Sequence, residues 1–577
     1  MTEFPPHVLR EYAFSGDGER GILIGPRGDI CWMCAPRWNS DAVFSTLVGG
    51  TGAYAVTPVD ERFVWGGYYE QGSLVWHSRW TTTTTTIECC EALAMPTDPH
   101  SATILRRVLA VEGDARVHVL LDARAGFGAH HMTNLKLRNG IWTARSGPLH
   151  LRWTGAAVAT KNGDGELEFE LVITSGGHHD LVLEVSDHPL SDHAADPDSL
   201  WDSTRSAWSS APPVSGTIAD RDAQHAVAVL RGLTSADGGM VAGSTMALPE
   251  HYERGKNYDY RYAWIRDQCY AGRAAAASGQ FDLLDAAVRF VAERLLVDGS
   301  QLKPAYTVDG GPVPKERQLK LAGYPGGSDR VGNWVTQQFQ LDAFGEALLL
   351  FSIAAGLDRL SSEQWTAATR AVEAIESMHG TPDAGIWELD NQRWTHSRLT
   401  CVAGLRSIAL VAPRAQAGRW TTLADRILAE TSAEALHPSG RWQRTPTDDR
   451  IDAALLIPAL RGALAAKDPR TIATLDAALN ELTQDGYMYR FRHDDRDLGA
   501  SEGAFLLCGF ITSLALHQQG QEVEAARWFE RNRAACGTAG LFTEEFSVQQ
   551  RQLRGNLPQA FVHALLLESS QRLAAPW

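Results

Sequence analysis

Two hydrophobic periods divide the chain. Up to about residue 195, apolar and polar positions alternate in short runs, among them Gly21-Ile22-Leu23-Ile24, Leu74-Val75-Trp76, Arg116 to Leu121 and Asp180 to Val185. Turns rich in Gly, Asp and Pro separate these runs at the spacing of an antiparallel β-sandwich. Thr81 to Thr86 follows Trp80 as six β-branched residues, which predicts an exposed strand. Asp198 to Ser209 places Leu200, Trp201, Thr204 and Trp208 on one side of a linker helix, and Ala211-Pro212-Pro213 then breaks the chain. From about residue 216 to 577 the period becomes 3.6.

Twelve amphipathic segments follow, at 219–233, 264–278, 281–297, 333–355, 361–379, 395–412, 418–435, 450–465, 470–483, 501–518, 521–535 and 557–573. Short and long connections alternate between them. That pattern predicts helical hairpins closed into a double ring, an (α/α)6 barrel, and no self-similar period supports a solenoid instead. Every second connection is long, so the long ones share one end of the barrel and build a pocket there. The expected division is a sandwich over 1–195, a linker over 196–215 and a barrel over 216–577.

At 577 residues the chain is long enough for two to four domains, and 44% hydrophobic with 21% charged residues is a globular composition. A net charge of −16 argues against nucleic acid or an anionic membrane as partner and favours a neutral small molecule. The first residues lack a basic start and apolar run, which predicts a cytoplasmic protein. Among eight cysteines, Cys31 and Cys34 have metal-pair spacing but lack two further ligands, and Cys89-Cys90 are adjacent, so buried thiols and no metal or cofactor are expected. Gly16-Asp17-Gly18-Glu19-Arg20-Gly21 matches a dinucleotide string, yet a strand follows it where a helix is needed, so it reads as a turn.

Two carboxylates carry the candidate chemistry. Glu388 ends Pro382-Asp383-Ala384-Gly385-Ile386-Trp387-Glu388, where burial beside Trp387 would favour the protonated form of a general acid. Glu544 stands in Gly540-Leu541-Phe542-Thr543-Glu544-Glu545-Phe546, in the same kind of loop. Two carboxylates on separate loops suit glycoside hydrolysis, although a Trp-Glu pair is also ordinary packing. Asn257-Tyr258-Asp259-Tyr260-Arg261-Tyr262-Ala263-Trp264-Ile265-Arg266-Asp267 is richer in aromatic and paired charged groups than helix packing needs. Such groups bind hydroxyls and stack on a pyranose; the plainer reading is a helix-capping salt bridge.

Asn257 to Asp267 resembles the signature of glycoside hydrolase family 15, the glucoamylase and bacterial trehalase family. Gly385-Ile386-Trp387-Glu388 is similar to its general-acid loop. Leu541-Phe542-Thr543-Glu544-Glu545 and Gly555-Asn556-Leu557-Pro558-Gln559-Ala560-Phe561 are similar to its general-base segment. Glu502 to Leu506, Tyr12 to Gly18 and Cys34 to Ser40 resemble further blocks, so the likeness runs from about residue 9 to 572.

The resemblance implies a β-sandwich, a linker helix and an (α/α)6 catalytic barrel that releases glucose from the non-reducing end of an α-glucoside with inversion. It makes Glu388 the acid and Glu544, rather than Glu545, the base. Inversion calls for carboxyl groups about 6.5–9.5 Å apart, against about 5–5.5 Å for retention. It further makes Arg266 and Asp267 the grip on the terminal glucose, Tyr260, Trp264 and Trp387 its aromatic surround, and Arg490 a further sugar contact whose plainer reading is a solvated helix-end charge. Leu389-Asp390, Thr395-His396-Ser397-Arg398 and Glu316-Arg317-Gln318-Leu319 depart from the family pattern and are expected to flank the leaving group. Glucoamylase-type action is the first expectation, with trehalose or isomaltose and dextran hydrolysis as alternatives. A phosphorylase would need no Glu544, and a non-catalytic sugar-binding protein would need neither carboxylate.

Overall fold

The computed structural model describes residues 4–250, 257–493 and 495–577. Two antiparallel eight-stranded sheets occupy Ala13 to Ser186 and face each other as a sandwich. Alternation places the core: along Ala115–Asp122, Ala115, Val117, Val119 and Leu121 are buried while Arg116 is exposed. Trp32, Trp76, Trp80 and Trp153 fill the interior. The glycine string at Gly16 is the turn of a hairpin, Ala13–Gly16 pairing with Gly21–Ile24 while Asp17 Oδ1 accepts the N–H groups of Glu19 and Arg20 at 2.9 and 3.0 Å.

The threonine run is not one strand. Thr81 ends Trp76–Thr81, Thr86 begins Thr86–Leu93, and the residues between them turn the chain. Thr82 supplies the reason, since its Oγ1 accepts the Thr85 N–H at 3.0 Å while its own N–H donates to Thr85 O at 2.9 Å. A local hydroxyl acceptor here competes successfully with strand pairing.

Helix α1 (Pro197–Ser209) packs Trp201, Thr204 and Trp208 inward, with Asp196 capping it through the Ser199 N–H. The helical ring follows as α2 (Asp220–Leu233), α3 (Ile265–Ala277), α4 (Phe281–Asp298), α5 (Asp342–Gly356), α6 (Ser362–Met378), α7 (Thr395–Val411), α8 (Arg414–Ala435), α9 (Ile457–Leu460), α10 (Pro469–Glu481), α11 (Leu506–Gln518), α12 (Glu522–Arg533) and α13 (Ala560–Arg572). Two expected helices are shorter than their pattern. Over 450–465, a 3-10 turn at Ala453–Leu456 runs into the four residues of α9. Pro458 offers no N–H to the turn before it, and Gly462 at φ +87 leaves the helical region. Over 333–355, Asn333 caps a separate 3-10 turn and α5 starts only at Asp342.

Helices α3, α5, α7, α9, α11 and α13 each touch the next, and α13 closes on α3. Burial separates the two rings: every residue of α11 is buried, whereas α12 buries only Ala525, Phe529 and Asn532. Ion pairs lie inside the inner ring, among them Arg273 with Glu346 at 2.8 Å and Arg461 Nη2 with Glu568 Oε2 at 2.8 Å, whereas among the described residues Asp342 and Arg398 are buried in it outside any ion pair. Inner-to-outer links such as 278–280 and 519–521 are tight, and the outer-to-inner connections are long, so these gather at one end. Within them, 251–256 and 494 lie outside the described residues. Among the described residues the cysteines form no disulfide and all but Cys536 are buried, and no helix is long and apolar enough to cross a membrane.

One buried cation fastens the sandwich to the barrel. Arg261 pairs with Asp259 at 2.8 Å and donates from Nη1 to Trp38 O at 3.1 Å, Ser40 O at 2.9 Å and Cys34 Sγ at 3.1 Å. Trp32 Nε1 donates to Ser244 O at 2.8 Å beside it. Removing one member of a buried ion pair strands the other, so Arg261→Met is expected to cost about 3–5 kcal/mol. Urea unfolding checks this, and a midpoint equal to the parent's would contradict it.

Candidate active site

The long connections enclose a cavity of about 140 Å³. Of the residues singled out in the sequence, Tyr260, Trp264, Arg266, Trp387, Glu388, Arg490 and Glu544 line it. The segment before α3 runs extended, the carbonyls of Tyr258, Tyr260 and Tyr262 accepting the N–H groups of Ala247, Gly243 and Ala242, each at 2.9 Å. From this ribbon Tyr258 and Tyr260 reach the cavity, with rings stacked at 6.3 Å. Tyr262 packs instead with Trp264, Ala305, Val313 and Val335.

Two hydrogen bonds join the ribbon to both carboxylates. Trp264 Nε1 donates to Glu388 Oε1 at 2.7 Å, and Tyr260 Oη lies 2.7 Å from Glu544 Oε2. The two rings meet edge to face at 5.7 Å. Glu388 sits on a tight turn, its N–H donating to Gly385 O at 3.2 Å and the Leu389 N–H to Ala384 O at 2.9 Å. Its own φ is +57, a left-handed conformation that costs a non-glycine residue about 1–2 kcal/mol. Gly385, at φ +67, admits no side chain, because a Cβ there would meet the Trp394 ring at 2.8 Å.

The expected desolvation of Glu388 by Trp387 is corrected. The Glu388 side chain stays 26% exposed, and the indole that bonds to it is that of Trp264. Trp387 turns its N–H to Asp452 Oδ1 at 2.8 Å and packs edge to face with Phe505, ring centroids 5.3 Å apart. Adjacency in sequence misled because the left-handed turn sends consecutive side chains apart.

Arg266 lies at the start of α3 and ties it to the acid loop, donating from Nη1 to Ile386 O at 2.7 Å, 3.8 Å from Glu388 Oε1. Asp267 is not part of the cavity wall: it is fully buried, with Oδ2 held by Arg266 at 3.1 Å and Oδ1 without a hydrogen-bond partner. Burial pushes its carboxyl up, against the pull of Arg266.

Glu544 is buried, and burial together with the charge of Glu250 pushes its carboxyl well up, while Arg490, the Tyr260 hydroxyl and Arg266 pull it down. Glu545 points elsewhere, accepting the Gly503 N–H at 2.7 Å. Arg490 is no solvated helix-end charge. Its side chain is 12% exposed, paired with Glu502, and lies over Phe505 at 4.4 Å and Trp387 at 5.5 Å.

Of the positions that depart from the family pattern, Leu389 and Asp390 border an open cavity of about 780 Å³ beside Glu388. His396 is buried behind Trp387. Glu316 and Arg317 lie apart from both, paired with Arg330 and Asp41. Sequence reasoning missed Glu250, Tyr258, Trp334 and His493 on the cavity wall. Tyr258 shares the period-two phase of Tyr260 and could have been found by it. Glu250 follows Leu248-Pro249 with no local signal.

The profile of glycosyl hydrolases family 15 matches residues 226–571, and a profile described as trehalase-like, N-terminal matches residues 8–206. The chain is 29% identical to a trehalase of Mycolicibacterium smegmatis, with 98% of this chain and 91% of the relative covered. A trehalase of Mycobacterium tuberculosis is also 29% identical, over 98% and 89%. A bacterial glucoamylase solved in complex with acarbose shares the fold, with a TM-score of 0.71 at 14% identity, covering 99% of this chain and 96% of that one. The family match spans more than half of the chain, and the chain belongs to glycosyl hydrolases family 15, a glycosidase built as a β-sandwich followed by an (α/α)6 barrel.

Proposed function

We propose that this enzyme hydrolyses α,α-trehalose with inversion. The observation that carries the mechanism is the pair of carboxylates on one cavity, each held by a separate donor of the ribbon. Glu388, beside the open cavity, protonates the glycosidic oxygen of the departing glucose. Glu544 takes a proton from water as that water attacks the anomeric carbon from the opposite face. The C–O bond to the leaving glucose breaks as the new one forms, and solvent restores both protonation states.

Arg266, on the cavity wall, offers a donor for the hydroxyls of the retained ring, and Asp267 holds its guanidinium from behind at 3.1 Å. Past Glu388, the wall presents Gln338, Asp390, Asn391, Thr445 and Asp448. These polar side chains, set among the rings of Trp334, Trp394 and Phe491, suit a leaving group with hydroxyls and C–H faces, as glucose has.

Trehalose is favoured over the glucoamylase-type expectation because the relatives matching nearly the whole chain are trehalases, and the N-terminal profile is trehalase-like. Action on malto- or isomalto-oligosaccharides is the second reading, supported by the glucoamylase fold and by the openness of the cavity beside Glu388.

Glu388→Gln and Glu544→Gln are each expected to lower kcat about a thousandfold with the fold intact. Full turnover in either folded variant would remove that residue from the mechanism. On a panel of trehalose, maltose, isomaltose, kojibiose and nigerose, trehalose is expected to show the highest kcat/KM. A tenfold or greater preference for maltose or isomaltose would select the second reading.

A further inference from the structure

Glu250 is a buried acid that the mechanism above does not use. It is 4% exposed and lines the same cavity as Glu544. The Gly555 N–H fixes the chain beside it by donating to Pro249 O at 2.9 Å. Glu250 Oε1 lies 3.0 Å from the Tyr260 hydroxyl, the same hydroxyl that stands 2.7 Å from Glu544 Oε2. A phenol has one proton and can donate it to one carboxylate at a time. If both acids were ionised, one of these two short oxygen contacts would hold no proton.

We propose that Glu250 and Glu544 titrate as one pair bridged by Tyr260, and that Glu250 is the positioning residue that sets the pH at which the base becomes ionised. The inference rests on the assignment of Glu544 as base. With a proton on Glu250, the chain runs from the Glu250 carboxyl to Tyr260 oxygen and from the Tyr260 hydroxyl to an anionic Glu544. Each bond in such a chain polarises the next, and Glu544 is left oriented and able to accept the proton of water.

Other charges share the space. Arg490 acts on both acids, Arg266 on Glu544, and Glu545 and Tyr258 on Glu250. Glu502, Arg496 and Arg554 surround a second cavity that Glu250 also borders. These groups shift the pair as a whole. The hydroxyl bridge couples its two members through a shared hydrogen.

The test is the acidic limb of the pH profile of kcat/KM, which reports ionisation of the base in the free enzyme. Glu250→Gln presents a neutral donor to Tyr260 as the protonated acid does, so its limb is expected to stay at the parent's pH. Glu250→Ala removes that donor and Tyr260→Phe removes the bridge, so each is expected to move the limb to higher pH by about one unit, the coupling at which two sites cease to titrate independently. A parental limb in Glu250→Gln with displacement to higher pH in the other two, all with parental circular dichroism, supports the proposal. An unmoved limb in folded Glu250→Ala or Tyr260→Phe, or a displaced one in folded Glu250→Gln, overturns it. Glu544→Gln is run alongside: if that variant keeps full activity, the base assignment fails, whereas an inactive Glu544→Gln with an unmoved Glu250→Ala limb defeats this inference only.

Discussion

A hydroxyl and an indole N–H, four residues apart on one extended ribbon, hold the two acids of this site. Tyr260 meets Glu544 and Trp264 meets Glu388, both at 2.7 Å, although the acids come from loops far apart in sequence. The surrounding architecture keeps that ribbon still. Its backbone is paired to 242–247, Trp264 is paired across to Ala305, and Arg261 locks it to the sandwich through backbone carbonyls near Trp38. The N-terminal domain thereby anchors the segment that bonds to both carboxylates, without lining the cavity.

The site is assembled against its own stability. Glu388 occupies a left-handed conformation, Asp267 and Gln559 each bury an oxygen without a hydrogen-bond partner, and Glu544 is pushed toward its neutral form by burial. Features of this kind cost about 1–3 kcal/mol apiece and persist only where the surroundings over-determine them. Here the surroundings are a closed ring of inner helices tied across by buried ion pairs. Arg273, Glu346, Arg461 and Glu568 come from different parts of that ring, so their pairing depends on its closure.

Much of this was written in the local pattern of the chain. Period two placed the sandwich, period 3.6 placed most of the helices, and the alternation of short and long links placed the pocket end. Patterns failed where a single residue outweighed its neighbours. Pro458 and Gly462 cut one helix to a single turn, and the hydroxyl of Thr82 bent a run of β-branched residues into a turn. Sequence adjacency also proved a poor guide to contact. Trp387 and Glu388 are neighbours along the chain, yet the turn at Glu388 sends the Trp387 indole N–H to Asp452 and leaves Glu388 to Trp264. Glu250 was invisible for a related reason, because its meaning lies in a hydroxyl ten residues away that also serves Glu544.

In the mechanism proposed, Glu388 and Glu544 work on opposite faces of one sugar ring. Proton NMR of the first glucose formed tests it most directly, read before mutarotation scrambles the anomers. From α,α-trehalose, attack opposite to the departing bond yields one β-glucose from the ring that is attacked and one α-glucose from the ring that leaves, so equal amounts of the two anomers are expected at early times. Initial release of α-glucose alone would mean retention, and would contradict the account.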